Sequence, residues 1–350
     1  MSYFEKIKDY KIKDNPIIMG IETSCDETAV AIIKNGREIL ADEIISSATE
    51  HAKFGGVVPE IASRTHTTAI LTATKKALDK AGLTLKDVDA FAVTQGAGLL
   101  GALLVGVSFA KSLAFSMGKP LVPVSHIRGH ISASYLTDKK LEPPFITILA
   151  SGGHTAIVAV DDYYTIRVLG STLDDAVGEA FDKVARVLGL SYPGGPNVER
   201  LAKDGKNVIP LPKMLKNYNG GEFDFSYSGL KTAVINYVHN QTAKGEEVNK
   251  ADVACSFQCS AIDVLIDKAF LASKKFGYKT ICVSGGVGAN GYLREKLTER
   301  AKKEKIKLVL PEKRYCTDNG AMIGAEGYLQ YKKGNFADLN LNASAVMPFK

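Results

Sequence analysis

The chain has 350 residues, 45% of them apolar and 23% charged, the balance of a soluble globular protein rather than a disordered, collagenous or coiled-coil one. That length exceeds what one hydrophobic core usually serves and predicts two domains. A formal charge of +6, from 44 basic and 38 acidic residues, permits a polyanionic partner without demonstrating one.

Residues 1–16 carry four lysines, three acids and no apolar run. Neither a signal peptide nor a transit peptide is expected there, and the cytoplasm is the default compartment. The five cysteines (Cys25, Cys255, Cys259, Cys282, Cys316) are scattered and never C-x-x-C. This suits a reducing compartment and argues against a disulfide framework or a cysteine-type zinc site. Residues 21–33, IETSCDETAVAII, read as strand, small polar turn, strand, with a third strand beyond Asn35-Gly36. Asp26 and Glu27 sit in the first turn, where paired carboxylates can orient a metal-bound or basic group or act as general base. Turn chemistry is the alternative for Asp26.

Residues 91–110 are uncharged for a length that spans a bilayer. Thr94-Gln95-Gly96 breaks the run, so the expectation is a buried strand over 90–94 and a core helix over 99–115, not a membrane span. Ser125 then precedes His126 and His130, which stand at i and i+4 of a helix with Ser125 as N-cap. That spacing lets two imidazoles reach one ion; a capping or surface pair is the alternative. Ile127 stands where H-E-x-x-H proteases carry their glutamate base, so a metalloprotease is not expected. Asp318 is the best candidate for a distant third ligand, and equally an N-cap for the helix over 321–331.

In the second half, His154 follows Gly152-Gly153 and either meets a substrate or closes the turn. Asp175, Glu179, Asp182 and Arg186 share one face of a helix ending at Gly189. Such a stripe is ordinarily solvated, but Asp182 can reach ribose hydroxyls if the helix edges a cleft. Tyr192–Pro196 is a rigid turn, and Phe225–Lys231 reads as core strand before pocket lining. Lys296, Arg300, Lys302, Lys303, Lys305 and Lys307 are interleaved with Glu295, Glu299 and Glu304. A solvated amphipathic helix is the expected result, ahead of a phosphate-binding surface.

The two halves repeat. Residues 21–33 lie on 149–160 so that Thr28-Ala29-Val30 meets Thr155-Ala156-Ile157, and 90–101 lie on 280–291 with their glycines in step. Glycine turns at helix starts let backbone amides approach a phosphate. Two such pairs in matching order predict two similar α/β lobes with a nucleotide between them, as in the actin-like and Hsp70-like ATPases.

Several motifs occur in one order: GIETSCDETAVAI, GGVVPEIASRTH, TQGAGLLGALLVG, HIRGH, LASGGHT, DDAVGEAFDKVARVLGLSYPGGP, FDFSYSGLKTA, VSGGVGAN and CTDNGAMI. Together, over about residues 17–331, they resemble the tRNA N6-adenosine threonylcarbamoyltransferase family of bacterial TsaD type, formerly the O-sialoglycoprotein endopeptidases. The resemblance implies duplicated ribonuclease-H-like lobes of the actin-like ATPase fold. On that pattern residues 17–130 form lobe I, residues 131–318 lobe II, and a C-terminal helix over about 319–350 packs back on lobe I. Residues 1–16 are an extension outside the family pattern.

It also implies an activity: transfer of threonylcarbamoyl from threonylcarbamoyl-AMP to N6 of adenosine 37 in tRNAs reading codons that begin with A, releasing AMP. One metal, iron(II) ahead of zinc or magnesium, falls on His126, His130 and Asp318. Substrate and nucleotide contacts fall on Leu149, Ala150, Ser151, Gly152, Gly153, Asp182, Gly195, Glu199 and Asn290, and residues needed for activity on Asp26, Glu27 and His154. A TsaB-type paralogue and a TsaE-type ATPase are the implied partners. Three positions depart from the family pattern: Arg128 replaces the usual Glu, Ser125 the usual His or Asn, and Glu199 the usual Asp. The competing readings are a small-molecule kinase of the same fold and a nucleotide-binding scaffold without chemistry.

Overall fold

The computed structural model describes residues 3–212 and 221–347. The chain divides into two compact units, one running up to Leu141 and resuming at Thr317, the other Glu142–Cys316.

The first unit is built on five strands: β1 (Ile17–Glu22), β2 (Glu27–Lys34), β3 (Glu38–Ser46), β4 (Ala90–Gly96) and β5 (Leu121–Ser125), in the order β3-β2-β1-β4-β5. The first three form an antiparallel meander, and β4 and β5 run parallel to β1. The second unit repeats this with β6 (Phe145–Ala150), β7 (Thr155–Val160), β8 (Ile166–Ser171), β9 (Thr280–Ser284) and β10 (Lys307–Val309), in the order β10-β9-β6-β7-β8. Even the register is shared. Glu22 pairs with Ala29 as Leu149 pairs with Ala156, and Ile21 with Val93 as Ile148 with Val283. The duplication expected from the sequence is therefore a duplication of hydrogen-bond ladders.

Helices complete each unit. The first holds α1 (Tyr3–Lys8), α2 (Ala48–Ala52), α3 (Pro59–Ala81), α4 (Leu100–Met117), α5 (His126–Thr137) and, from the end of the chain, α11 (Gly320–Lys332). The second holds α6 (Val177–Val187), α7 (Gly194–Ala202), α8 (Ser228–Ala243), α9 (Lys250–Phe276) and α10 (Gly291–Glu304). Strands β6 and β7 are buried at every residue, which is why they read as apolar runs with only Thr147 and Thr155 among them rather than as alternating ones. Phe181, Phe225, Tyr227, Phe257 and Phe270 fill the core of this unit; Tyr227 satisfies its hydroxyl on Ala261 O at 3.2 Å.

The backbone of α11 lies directly on β1. A Cβ at Gly20 would sit 2.2 Å from Gly320 O and 2.4 Å from Gly324 N, so only glycine at position 20 permits this approach. The charge-free segment becomes β4 and α4. By length and mean hydropathy (1.6) α4 resembles a membrane span; it buries Ala102, Leu103, Gly106, Val107, Ala110 and Ala114 and exposes Leu100, Leu104 and Phe115 on another face. The basic segment is α10, with Lys296 on Glu299 and Arg300 on Glu304 and Asp267, a helix laced with ion pairs.

Three expected boundaries change. A cut at 130/131 would fall inside α5, whose helical pattern continues to Thr137; the units part after Leu141. The C-terminal helix does not reach 350. It stops at Lys332, ahead of Gly334 at φ +74°, and the chain continues as a strap whose Ala337 pairs with Leu121 and whose Ser344 N donates to Gln95 O at 2.9 Å. Residues 3–16 belong to the first unit, and Tyr3 and Ile7 enter its core. Ile7 is 1% exposed, the Tyr3 hydroxyl donates to Lys119 O, and Tyr10 stacks edge-on against Tyr331 and Phe336.

Candidate metal centre

Strand β5 runs into α5 with no intervening turn, which places His126 at the first helical position and His130 one turn on. Ser125 occupies the N-cap position but makes no side-chain capping bond. The two imidazoles are 8% and 2% exposed and meet edge to face, with centroids 4.6 Å apart. Asp318, two residues before α11, brings Oδ1 to 3.1 Å from His130 Nε2 and 3.5 Å from His126 Nε2. One donor atom from each of the three lies within 4.8 Å of the others.

These residues fit a divalent cation. Neither ring nitrogen of His130 makes a hydrogen bond among the described residues, a costly state for a buried imidazole unless a metal takes one of them. Two imidazoles and a carboxylate are a donor set that first-row divalent metals accept.

What turns His126 was missed at the sequence level. Glu22, 0% exposed at the end of β1, brings Oε2 to 3.1 Å from His126 Nδ1. A carboxylate only accepts, so Nδ1 carries the proton and Nε2 is left for Asp318 and a metal. Glu22 is itself gripped by the Ser24 amide at 2.5 Å and the Thr94 hydroxyl at 2.6 Å. A glutamate closing an otherwise apolar strand was the available signal, since a buried carboxylate must have partners.

The turn after β1 faces the same centre. Burial, then the Asp318 and Asp26 carboxylates, push the Glu27 carboxyl up to about 9, and Ser46 Oγ donates to it at 3.1 Å. Burial acts to lower the His126 pKa, but Asp318 and Glu22 outweigh it and hold the imidazole at about 9 without a metal. His66 braces the turn from below. Its Nε2 reaches Cys25 O at 2.9 Å and its Nδ1 the Thr28 hydroxyl at 2.7 Å, while burial lowers its own pKa.

In the second unit, Leu149 and Ala150 end β6 with buried side chains. Ser151 closes the turn onto His154: Ser151 N donates to His154 O at 2.8 Å, and His154 N to Ser151 Oγ at 3.1 Å. Gly152, Gly153 and Gly195 face open space where a Cβ would stand. Asp182, Glu199 and Asn290 have work of their own at helix starts. Asp182 Oδ1 accepts from Gly194 N at 2.7 Å and Glu199 Oε1 from Gly291 N at 3.0 Å, and Asn290 caps α10 through Leu293 N. Burial raises the Asp182 pKa against the pull of the Gly194 and Gly195 amides.

Both of the paired glycine turns are packed. In the first unit Gly96 is covered by Ser344 O and Gly98 by Ser24, at 2.1 and 2.6 Å from the place of a Cβ. In the second unit a Cβ at Gly285, Gly288 or Gly291 would lie 2.4, 2.9 or 2.8 Å from Ala150 O, Val283 Cγ1 or Glu199 Oε1. The chain itself packs both turns, where both were expected to face a nucleotide.

The sequence profile of the TsaD family, tRNA N6-adenosine threonylcarbamoyltransferase, matches residues 38–325. The chain belongs to this family. A threonylcarbamoyltransferase of Clostridium perfringens is 51% identical over 331 residues, covering 94% of this chain and 97% of the relative. One from Clostridium botulinum is 50% identical over 333 residues, covering 95% and 97%. Among solved structures, nucleotide-bound HypF superposes with a TM-score of 0.61 at 16% identity, over 93% of this chain and 47% of HypF. The 2-hydroxyglutaryl-CoA dehydratase component A of Acidaminococcus fermentans gives 0.53 at 15% identity, over 91% and 99%. These likenesses speak to fold, and the fold is the actin-like one. As a TsaD-family enzyme the chain is an acyltransferase that forms threonylcarbamoyladenosine at adenosine 37 of tRNA; the kinase and scaffold readings are not favoured.

Proposed function

We propose that the two units divide the labour of threonylcarbamoyl transfer, the first holding a metal and the second the adenylate. The reading is carried by the two buried Nε2 atoms facing one Asp318 oxygen, with His126 Nδ1 tied back to Glu22. His126, His130 and Asp318 then hold one divalent cation, iron(II) ahead of zinc or magnesium. When bound it supplies Lewis acidity and a template for the threonylcarbamoyl group.

The chain's own residues do the rest. The N6 amine of adenosine is a poor nucleophile and AMP a good leaving group, so positioning carries most of the rate. Gly152 and Gly153 leave room at the end of β6 for the AMP half, and their amides are the candidates for stabilising the developing oxyanion, one donor being worth about 3 kcal/mol. Leu149, Ala150 and Ser151 form the floor of that turn, while Asp182, Gly195, Glu199 and Asn290 frame it from α6, α7 and α10. Asp26 and Glu27 orient the reacting group at the metal, and a protonated Glu27 can donate a hydrogen bond. His154 closes the turn onto the substrate. The target base must leave the anticodon-loop stack.

The reaction belongs in the cytoplasm with a TsaB-type paralogue and a TsaE-type ATPase; the exposed Leu100, Leu104 and Phe115 of α4 offer a paralogue an apolar face. The test is to supply threonylcarbamoyl-AMP and unmodified tRNA, with and without both partners, and read digested nucleosides by mass spectrometry. Modified adenosine lost on His126→Ala supports transferase and metal together. No product with both partners and iron present overturns the reading.

A further inference from the structure

The helix that carries the two histidines is held to the helix that follows Asp318 at a second place. Successive residues of an α-helix turn by roughly 100°. His126 and His130 therefore share one side of α5, Gly129 stands about 60° round from His126, and Ser132 and Arg128 lie farther round, nearly opposite the histidines.

The structure uses each direction differently. At Gly129, α11 comes so close that a Cβ would sit 2.8 Å from Ile323 Cδ1. On the flank beyond, Glu326 of α11 is 1% exposed and bonded to both α5 residues: Arg128 Nε donates to Oε1 at 2.8 Å and Ser132 Oγ to Oε2 at 2.6 Å. Gln330 Nε2, one turn farther along α11, also donates to Oε1 at 2.7 Å. The glycine contact lets Ile323 come close to α5 but does not by itself fix how α5 is turned about its axis. One carboxylate gripped by two donors a helical turn apart removes that freedom.

We propose that the Arg128–Glu326–Ser132 bridge is the rotational lock of the metal centre: positioning residues that touch no metal and keep both imidazoles turned to Asp318. His130 depends on it most. His126 has Glu22 and Ser24 behind it, whereas the ring nitrogens of His130 make no hydrogen bond among the described residues, so helix rotation sets their direction. Arg128 places a cation on this flank of α5, and the buried Glu326 is the charge that answers it.

The inference rests on the metal reading above, and its test separates the two. Cobalt(II) is titrated into metal-free protein, reading affinity and the visible d–d bands, with thermal unfolding recorded alongside. Wild type should bind and His126→Ala should not. Arg128→Met should bind about 10-fold more weakly or worse, on the scale of losing an outer support of a metal site. Arg128→Met/Glu326→Leu leaves no unpaired buried charge, so its thermal stability should return towards wild type while its cobalt affinity stays about 10-fold down. A folded Arg128→Met that binds cobalt like wild type overturns the lock. So does a double variant that regains stability and affinity together, which would make the bridge structural only. If wild type binds no cobalt, or His126→Ala binds it unchanged, the metal reading fails and the lock goes with it.

Discussion

The two units share ladders, register and turns, and they differ where chemistry is expected. Register makes Glu22 the counterpart of Leu149. The turn Ser24-Cys25-Asp26-Glu27 then corresponds to Ser151-Gly152-Gly153-His154. In the first unit the strand ends in a buried carboxylate and the turn carries two more. In the second the counterpart position is Leu149 and the turn carries two glycines open to space. The later glycine turns do not diverge in this way: Gly96 and Gly98 are packed under Ser344 and Ser24, and Gly285, Gly288 and Gly291 under Ala150, Val283 and Glu199. One backbone plan carries three carboxylates at this first turn in one copy and two open glycines in the other.

The largest expected effect removes the first copy's chemistry. Asp318→Asn or His126→Ala should reduce stoichiometric metal in the purified protein to background and take product formation with it, while circular dichroism stays that of wild type. Retained metal in either variant would place the cation elsewhere. Next in size is Glu22. Glu22→Ala should weaken metal binding by about 10- to 100-fold, the usual consequence of losing the partner that orients a ligating histidine. Replacing Leu149, its counterpart, by Ala should cost stability by about 2–5 kcal/mol as a core cavity does and leave metal content alone. Equal metal loss in both would remove the distinction between the copies.

How much of this contrast was legible before the structure depends on the residue. The repeat was legible because glycine and strand punctuation are local, and the alignment of Thr28 with Thr155 gives the observed pairing register. His126 and His130 were legible as a pair through helical spacing. Asp318 lies far along the chain; it was the best candidate for a third ligand and equally an N-cap, and the family resemblance decided between the two. Glu22 was passed over because nothing in IIMGIE says that its last residue faces a histidine at the start of α5. Asp182, Glu199 and Asn290 carried a second meaning that spacing cannot show, namely that each satisfies the amides of a helix start. The extension was set aside as foreign to the family pattern, whereas Tyr3 and Ile7 bury themselves in the first unit.

A pair of glycines sharpens the comparison at smaller scale. Gly98→Ala places a Cβ 2.6 Å from Ser24 O and 2.7 Å from Ser24 Cβ. Overpacking of this kind costs about 1–3 kcal/mol, and it pushes on Ser24, which hydrogen-bonds His126. Gly152→Ala meets nothing within 4 Å and should change stability by no more than about 0.5 kcal/mol while weakening AMP binding. Thermal unfolding and nucleotide titration of both variants read the two effects separately. A destabilised Gly152→Ala with normal AMP affinity would reverse the assignment of the two turns.

The smallest effect is a pH dependence at the first unit's candidate metal centre. Without metal, His126 is held at about 9 against an ordinary 6.5, and Glu27 at about 9 against 4.5. Both values are raised by folding, so in this range the native chain binds more protons than the unfolded one, and stability falls as pH rises. The His126 contribution is complete below about 6.5 and lost through about 9; that of Glu27 starts to fall from 4.5. A metal needs the imidazole deprotonated, so its affinity moves the opposite way and strengthens over the same interval. The gap in unfolding temperature between metal-loaded and metal-free protein should therefore widen from pH 6.5 to 9. The Glu27→Gln variant, which removes one of the two protons, should flatten the metal-free limb while keeping the metal-dependent one. A gap that stays constant or narrows with pH would mean that these two groups do not share their protons' place with the cation.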